Sequence, residues 1–172
     1  MGSGRAASAV AQLAGQLDEI TRMVRFEPAL LELRVDAVSH WSIGQQVDHV
    51  LKVLEAGQRF FGGSQEPPAR LSSGMNLTGH LLLALGWIPR GVGKSPRGVL
   101  PADRTVDDLA ERAARLRSFY CDTPLPEAVL ADPTPVFPHP YFGGLTTLQG
   151  LRFLGLHTRH HLKIVADIRR AA

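Results

Sequence analysis

Three times in this sequence a serine or threonine stands three residues ahead of a glutamine or aspartate at the head of an apolar stripe: Ser42 before Gln45, Thr105 before Asp108 and Thr146 before Gln149. Each pair has the spacing of a capping box, which satisfies amide groups that the start of a helix leaves unbonded. The stripes that follow have helical period, and no stretch of any length alternates as a strand would. A fourth stripe, Val10, Leu13, Leu17, Ile20 and Val24, marks a helix over residues 6–27. Helices with one apolar face bury those faces against each other, so the sequence predicts an all-α fold, a four-helix bundle with long loops.

Pro28 closes the first helix because it cannot donate in a helix interior, leaving Ala29 to Leu33 as a further turn. The second helix runs from Ser42 to about Phe61, and the third buries Leu109, Ala113, Leu116 and Tyr120 and ends before Pro124. Between them, Gly62 to Leu71 reads as loop, and Asn76 to Trp87 as a short extra helix interrupted by Gly79 and Gly86. Residues 122–144 hold Pro124, Pro126, Pro133, Pro135, Pro138 and Pro140, which leaves no place for a regular helix or a central strand. The last helix spans Leu145 to Arg170. At 172 residues the chain is expected to form a single domain over residues 1–172, with 1–5 disordered.

Composition narrows the function classes. Nineteen Lys and Arg are interleaved with sixteen acids for a net charge of +3, and aromatics are 6%, so neither a long basic run nor a set of stacking platforms favours nucleic acid. Leu81 to Leu85 is far too short to span a bilayer and the start has no signal-peptide core, so no membrane partner is expected. Cys121 is the only cysteine, which excludes an intrachain disulfide and fits the cytoplasm; it is expected to be buried and inert. Gly93-Lys94-Ser95 looks superficially like a phosphate loop, but Pro96 follows and no strand precedes, so the segment reads as a surface connection.

The chemistry concentrates in histidine. His157 and His161 lie four residues apart on the last helix, within about 60° of Leu154, Ile164 and Ile168, whereas Arg152, Arg159, Lys163 and Arg170 fall at about 200° to 240° and should face water. His160 lies about 60° to the other flank, which suits a supporting role or the surface. On the second helix His49 shares the inward side with Val53, Ala56 and Phe60, and Asp48, Glu55 and Arg59 point about 80° to 120° away. Bundles build metal sites from inward side chains on facing helices, so His49 is the natural third partner of His157 and His161. Three imidazoles without thiolates or carboxylates suit zinc first, then nickel or iron, with one coordination position open. His40 and His80 are expected to pack or hydrogen-bond instead, His139 to pack in its proline-rich loop with a substrate contact as the alternative, and no general base is evident.

Trp41-Ser42-Ile43-Gly44-Gln45-Gln46-Val47-Asp48-His49 and His157-Thr158-Arg159-His160-His161 resemble the DinB-like or YfiT-like superfamily of bacterial metalloenzymes, which are four-helix bundles. His139-Pro140-Tyr141-Phe142-Gly143, followed by Leu145-Thr146, is similar to one branch of that group. Carried over by position, the resemblance implies metal ligands at His49, His157 and His161. It also implies a divalent-metal-dependent enzyme acting on a small-molecule substrate, either a transferase using a low-molecular-weight thiol or a hydrolase. Symmetric pairing into a homodimer is expected of such bundles. The alternative is a helical bundle that binds metal or a partner without catalysis.

Overall fold

A computed structural model of the chain describes residues 2–61, 73–122 and 125–172. The loop expected over Gly62 to Leu71 and the stop at Pro124 lie outside the described residues. The α-helices are α1 Gly2–Phe26, α2 Ile43–Phe61, α3 Leu77–Leu85, α4 Val106–Arg117, α5 Glu127–Ala131 and α6 Thr147–Ala171. Residues 2–5, expected to be disordered, form the first turn of α1. Helix α1 packs on α4 and α6, and α2 packs on the same two, so α1, α4, α2 and α6 run in that order round a four-helix bundle. Leu13, Leu17, Ile20, Leu51, Leu54, Leu109, Leu116, Leu151, Leu154 and Ile168 fill its axis with no exposure. Each such side chain contributes about 1.5–3 kcal/mol by leaving water.

Two capping boxes close reciprocally. Ser42 and Gln45 exchange backbone-to-side-chain hydrogen bonds of 3.1 and 3.2 Å, and Thr146 and Gln149 do so at 3.0 and 3.3 Å. The Thr105 box forms by half: its hydroxyl accepts from Asp108 N at 3.2 Å, but the Asp108 carboxylate accepts from Arg112 Nη1. A guanidinium is the stronger donor, and it draws the acid away from the helix end.

Helix α3 begins at Asn76, whose side chain accepts from Gly79 N, and ends at Gly86, which has φ of 63°. Gly79 does not interrupt it. A Cβ there would lie 2.6 Å from Met75 Cγ and 2.9 Å from Phe142 Cβ, so the glycine admits a close approach. In the basic stripe of α6, Arg152, Lys163 and Arg170 are exposed as expected and Arg159 is half-buried; Arg152 and Arg159 also donate to Leu83 O and Gly86 O, capping the C-terminal carbonyls of α3 and pinning it to α6.

The proline-rich segment is more ordered than its composition suggests. Pro126 stands at the N-cap of the short α5, where a missing N–H costs nothing. Strands β1 Phe137–His139 and β2 Gly143–Leu145 form an antiparallel ribbon pairing Phe137 with Leu145 and His139 with Gly143. A two-stranded ribbon has only edges, so Pro138 is accommodated.

Helix α2 is buried on two sides. Asp48 does point away from His49, but it is fully buried: Arg112 Nη1 and Lys52 Nζ lie 2.7 Å from its oxygens, and Ala102 N donates at 2.8 Å. Glu55 takes the other edge of Arg112 through bonds of 2.8 and 3.0 Å. About four turns on from the Ser42 cap, Gly57 lets α6 and the π-helical turn Ser118–Asp122 approach. A Cβ at Gly57 would lie 2.8 Å from both Leu154 Cδ1 and Tyr120 Oη, and that phenol already donates to Leu54 O at 2.6 Å. Gly57→Ala is therefore expected to destabilise the fold by about 1–3 kcal/mol, read as a lower urea midpoint at unchanged slope.

Candidate metal centre

The same helical periodicity that buries the leucines turns His49 on α2 and His157 and His161 on α6 towards one another. His157 Nε2 lies 3.2 Å from His49 Nε2 and 3.2 Å from His161 Nε2, and all three atoms are within 4.8 Å of one another. Four nitrogens about 2.0–2.1 Å from one tetrahedral ion are separated by about 3.3 Å. Two of the three separations match that value and the third lies within 4.8 Å, so the three imidazoles could hold a single divalent cation.

The far sides of the rings fix the tautomers. His49 Nδ1 donates to Val99 O at 2.7 Å, and His161 Nδ1 donates to Gln46 Oε1 at 2.6 Å. Gln46 is held in turn by Ser39, whose hydroxyl accepts from its amide at 2.8 Å. Protons on Nδ1 leave lone pairs on both Nε2 atoms, aimed at His157. His157 Nε2 can donate to only one of them at a time, so at least one of the two 3.2 Å contacts has no proton between its nitrogens. His157 Nδ1 is itself buried with no partner.

Burial holds the rings neutral. It depresses the basicity of His157 and His161 well below the ordinary imidazole range, and their mutual proximity adds to it. Burial also lowers His49, against an opposing pull from the Val99 carbonyl. An unfolded imidazole titrates near 6.5, so as pH falls the unfolded chain takes up protons that the folded chain refuses. Stability gained by keeping these rings neutral is present above about pH 6.5 and is lost as pH drops towards the folded values. The denaturation midpoint of metal-free protein should be level from about pH 8 to 7 and decline below about 6.5, with a shallower decline in His49→Gln.

The rings open onto a cavity of ≈ 740 Å³, walled by Trp41, Val53, Phe60, Ile88, Phe137 and Phe153 and reached also by Arg90, Lys94, His139 and His160. Trp41 lies nearly parallel to His161 and 5.1 Å from His49, so one flank of the site is aromatic. Among the described residues no Asp or Glu lines the cavity, and none joins the histidine cluster. Tyr141 closes one side: its hydroxyl donates to Lys94 O at 2.9 Å and accepts from Lys94 N at 2.8 Å.

Residues 5–165 match the DinB superfamily. The chain belongs to that family. No curated protein matches it, and no solved structure does. Membership places a DinB bundle and three clustered histidines in one molecule, and none of its described helices is long and apolar enough to cross a membrane.

The other histidines divide. His40 and His80, expected to pack, are both exposed. His160 is half-buried, its ring edge-on to His161 at 5.0 Å, and burial lowers its basicity. Cys121 is half-buried, and burial raises its thiol pKa. The segment from Ile88 to Asp103, expected to be a surface connection, is largely exposed, and it also walls the cavity and supplies the carbonyl that orients His49. Sequence reasoning missed Gln46, Trp41 and Val99. Gln46 stands one turn before His49 on the same helix face, a spacing that could have revealed it. A loop carbonyl leaves no trace in side-chain pattern.

Proposed function

We propose that this DinB-family chain is a divalent-metal-dependent enzyme whose ion is held by His49, His157 and His161 with one position open to a small-molecule substrate. Zinc is the first choice of ion, then nickel or iron, because neutral imidazoles are the whole donor set. The observation that carries the reading is the convergence of three Nε2 atoms, with the Nδ1 protons of His49 and His161 committed to Val99 and Gln46. A divalent ion supplies Lewis acidity, lowering the pKa of a water or thiol brought to it. The chain's own part is to orient the rings through Gln46 and Val99, to exclude bulk water with Trp41, Phe60 and Phe153, and to admit an apolar body. With Asp48 committed to Arg112 and Lys52, no carboxylate among the described residues lines the cavity as a candidate base, which favours a nucleophile that the ion itself activates. A low-molecular-weight thiol as cosubstrate fits that requirement, as does hydrolysis.

The non-catalytic alternative calls for a closed site, and the open cavity beside the three rings argues against it. The chain is taken to act as one cytoplasmic domain and as a homodimer. In support of pairing, α3 and its C-terminal flank expose Leu77, Leu81, Leu85 and Trp87, and residues 75–89 carry no Asp, Glu, Lys or Arg, so two copies can meet without like-charge repulsion. Elemental analysis of purified protein should find about one ion per chain, and added zinc or nickel should raise the melting midpoint. Absence of both effects would refute the metal centre. A screen with small thiols as cosubstrates then separates transfer from hydrolysis.

A further inference from the structure

His139 lies outside the three-histidine cluster, at the end of β1, and its ring is fixed from every side. Tyr141 N and Phe142 N both donate to its Nδ1, each at 3.2 Å. Phe142 stacks on it at 4.0 Å and 14°, and Phe153 meets it edge-on at 4.5 Å. Two backbone donors can converge only on a nitrogen without a proton, so the proton of the neutral ring resides on Nε2. A flipped ring would set both N–H groups against carbon, so the same two bonds also settle the ring's orientation. The Nε2–H has no partner among the described residues and is not among their sealed unpaired atoms, and the residue lines the ≈ 740 Å³ cavity. Phe153 bridges it to the centre, touching His139 on one side and His157 at 5.5 Å on the other.

We propose that His139 Nε2–H is a preorganised neutral donor to a carbonyl or carboxylate-like oxygen of the ligand that occupies the open position of the His49–His157–His161 centre. The proposal rests on the metal-centre reading above, and it adds a substrate class: an apolar body bearing an acceptor oxygen next to the group that meets the ion. Three features favour this role over simple packing. A ring needed only to hold the hairpin turn would use Nδ1 and leave its other nitrogen sealed or hydrogen-bonded. The donor faces aromatic walls, where a hydrogen bond to a developing negative charge is worth more than in water. Burial also depresses the ring's pKa to about 4, so it remains an uncharged donor throughout the neutral range and does not repel the cation.

The test uses full-length protein loaded with zinc and two probes that share a phenyl ring and an anchor for the ion. Benzohydroxamate carries acceptor oxygens, and benzenethiol carries none. His139→Phe, which keeps the stack on Phe142, should weaken benzohydroxamate about tenfold and leave benzenethiol within about twofold, the loss of one desolvated hydrogen bond. His139→Gln, which restores a donor, should recover most of that affinity. Nitrogen-15 spectra of histidine-labelled protein should show the His139 proton on Nε2. Equal weakening of both probes, or of neither, overturns the proposal and leaves the metal centre standing. If wild-type protein retains no zinc, the metal-centre reading fails and this proposal fails with it.

Discussion

His157→Ala should abolish stoichiometric metal and remove the rise in melting midpoint that zinc or nickel gives the wild-type protein. The central imidazole is the one that meets both others at 3.2 Å, so its loss leaves two nitrogens with no third donor and weakens binding by more than about a hundredfold. Gln46→Leu makes the graded companion. It spares every ligand but removes the acceptor that holds the His161 proton on Nδ1, and it should cost about 10–100-fold in metal affinity with the fold intact. Isothermal titration with zinc reads both effects. If His157→Ala lowers metal content but leaves the unfolding midpoint of the metal-free protein unchanged, the ring serves binding rather than the core. Undiminished binding in His157→Ala would remove the centre as described.

Arg112→Met should have the largest effect on stability. The guanidinium joins the fully buried Asp48 to Glu55, tying α4 to α2 across the bundle. Breaking a buried pair by removing one partner costs about 3–5 kcal/mol, because the remaining charge is stranded. Lys52 Nζ at 2.7 Å keeps Asp48 from being wholly abandoned, which sets the expectation at the lower end. In a chain of this length the melting midpoint should drop by roughly 6–12 °C. Replacing Asp48 and Arg112 together by Leu and Met should recover part of that loss, since a well-packed apolar pair has no charge to strand. A double-mutant cycle with no coupling between the two positions would show that the pair contributes nothing specific.

The long helices were legible because each carries its own instructions. Ser42, Thr105 and Thr146 mark where three of them begin, and the stripes through Leu13, Val53, Leu109 and Leu154 say which side goes inward. The cluster of His49, His157 and His161 was legible for the same reason, because helical geometry converts spacing into direction. What failed was everything that depends on how separate segments meet. Asp48 and Glu55 read only as pointing about 80° to 120° from His49, and what buries them, the arrival of Arg112 from α4, is not visible in their own helix. Arg159 read as solvated, but α3 presents its last carbonyl to it and leaves it half-buried. The ribbon around Pro138 escaped detection because three-residue strands are too short to show alternation. The Ile88 to Val99 segment escaped because its contribution, a backbone carbonyl, is the same for every residue type.

The distribution of the three rings along the chain has a further bearing on stability. His49 and His157 are 108 residues apart, and α6 brings two of the three imidazoles in one piece. An ion gripping them ties off a loop of most of the molecule, much as a cross-link would, in a chain whose lone Cys121 cannot make an intrachain disulfide. By the chain-entropy estimate for a covalent link, closing a loop of about 100 residues restricts the unfolded ensemble by about 4–5 kcal/mol. The metal-loaded protein would then be fastened across its whole topology, and the ion would decide how readily the bundle opens as well as what chemistry it supports.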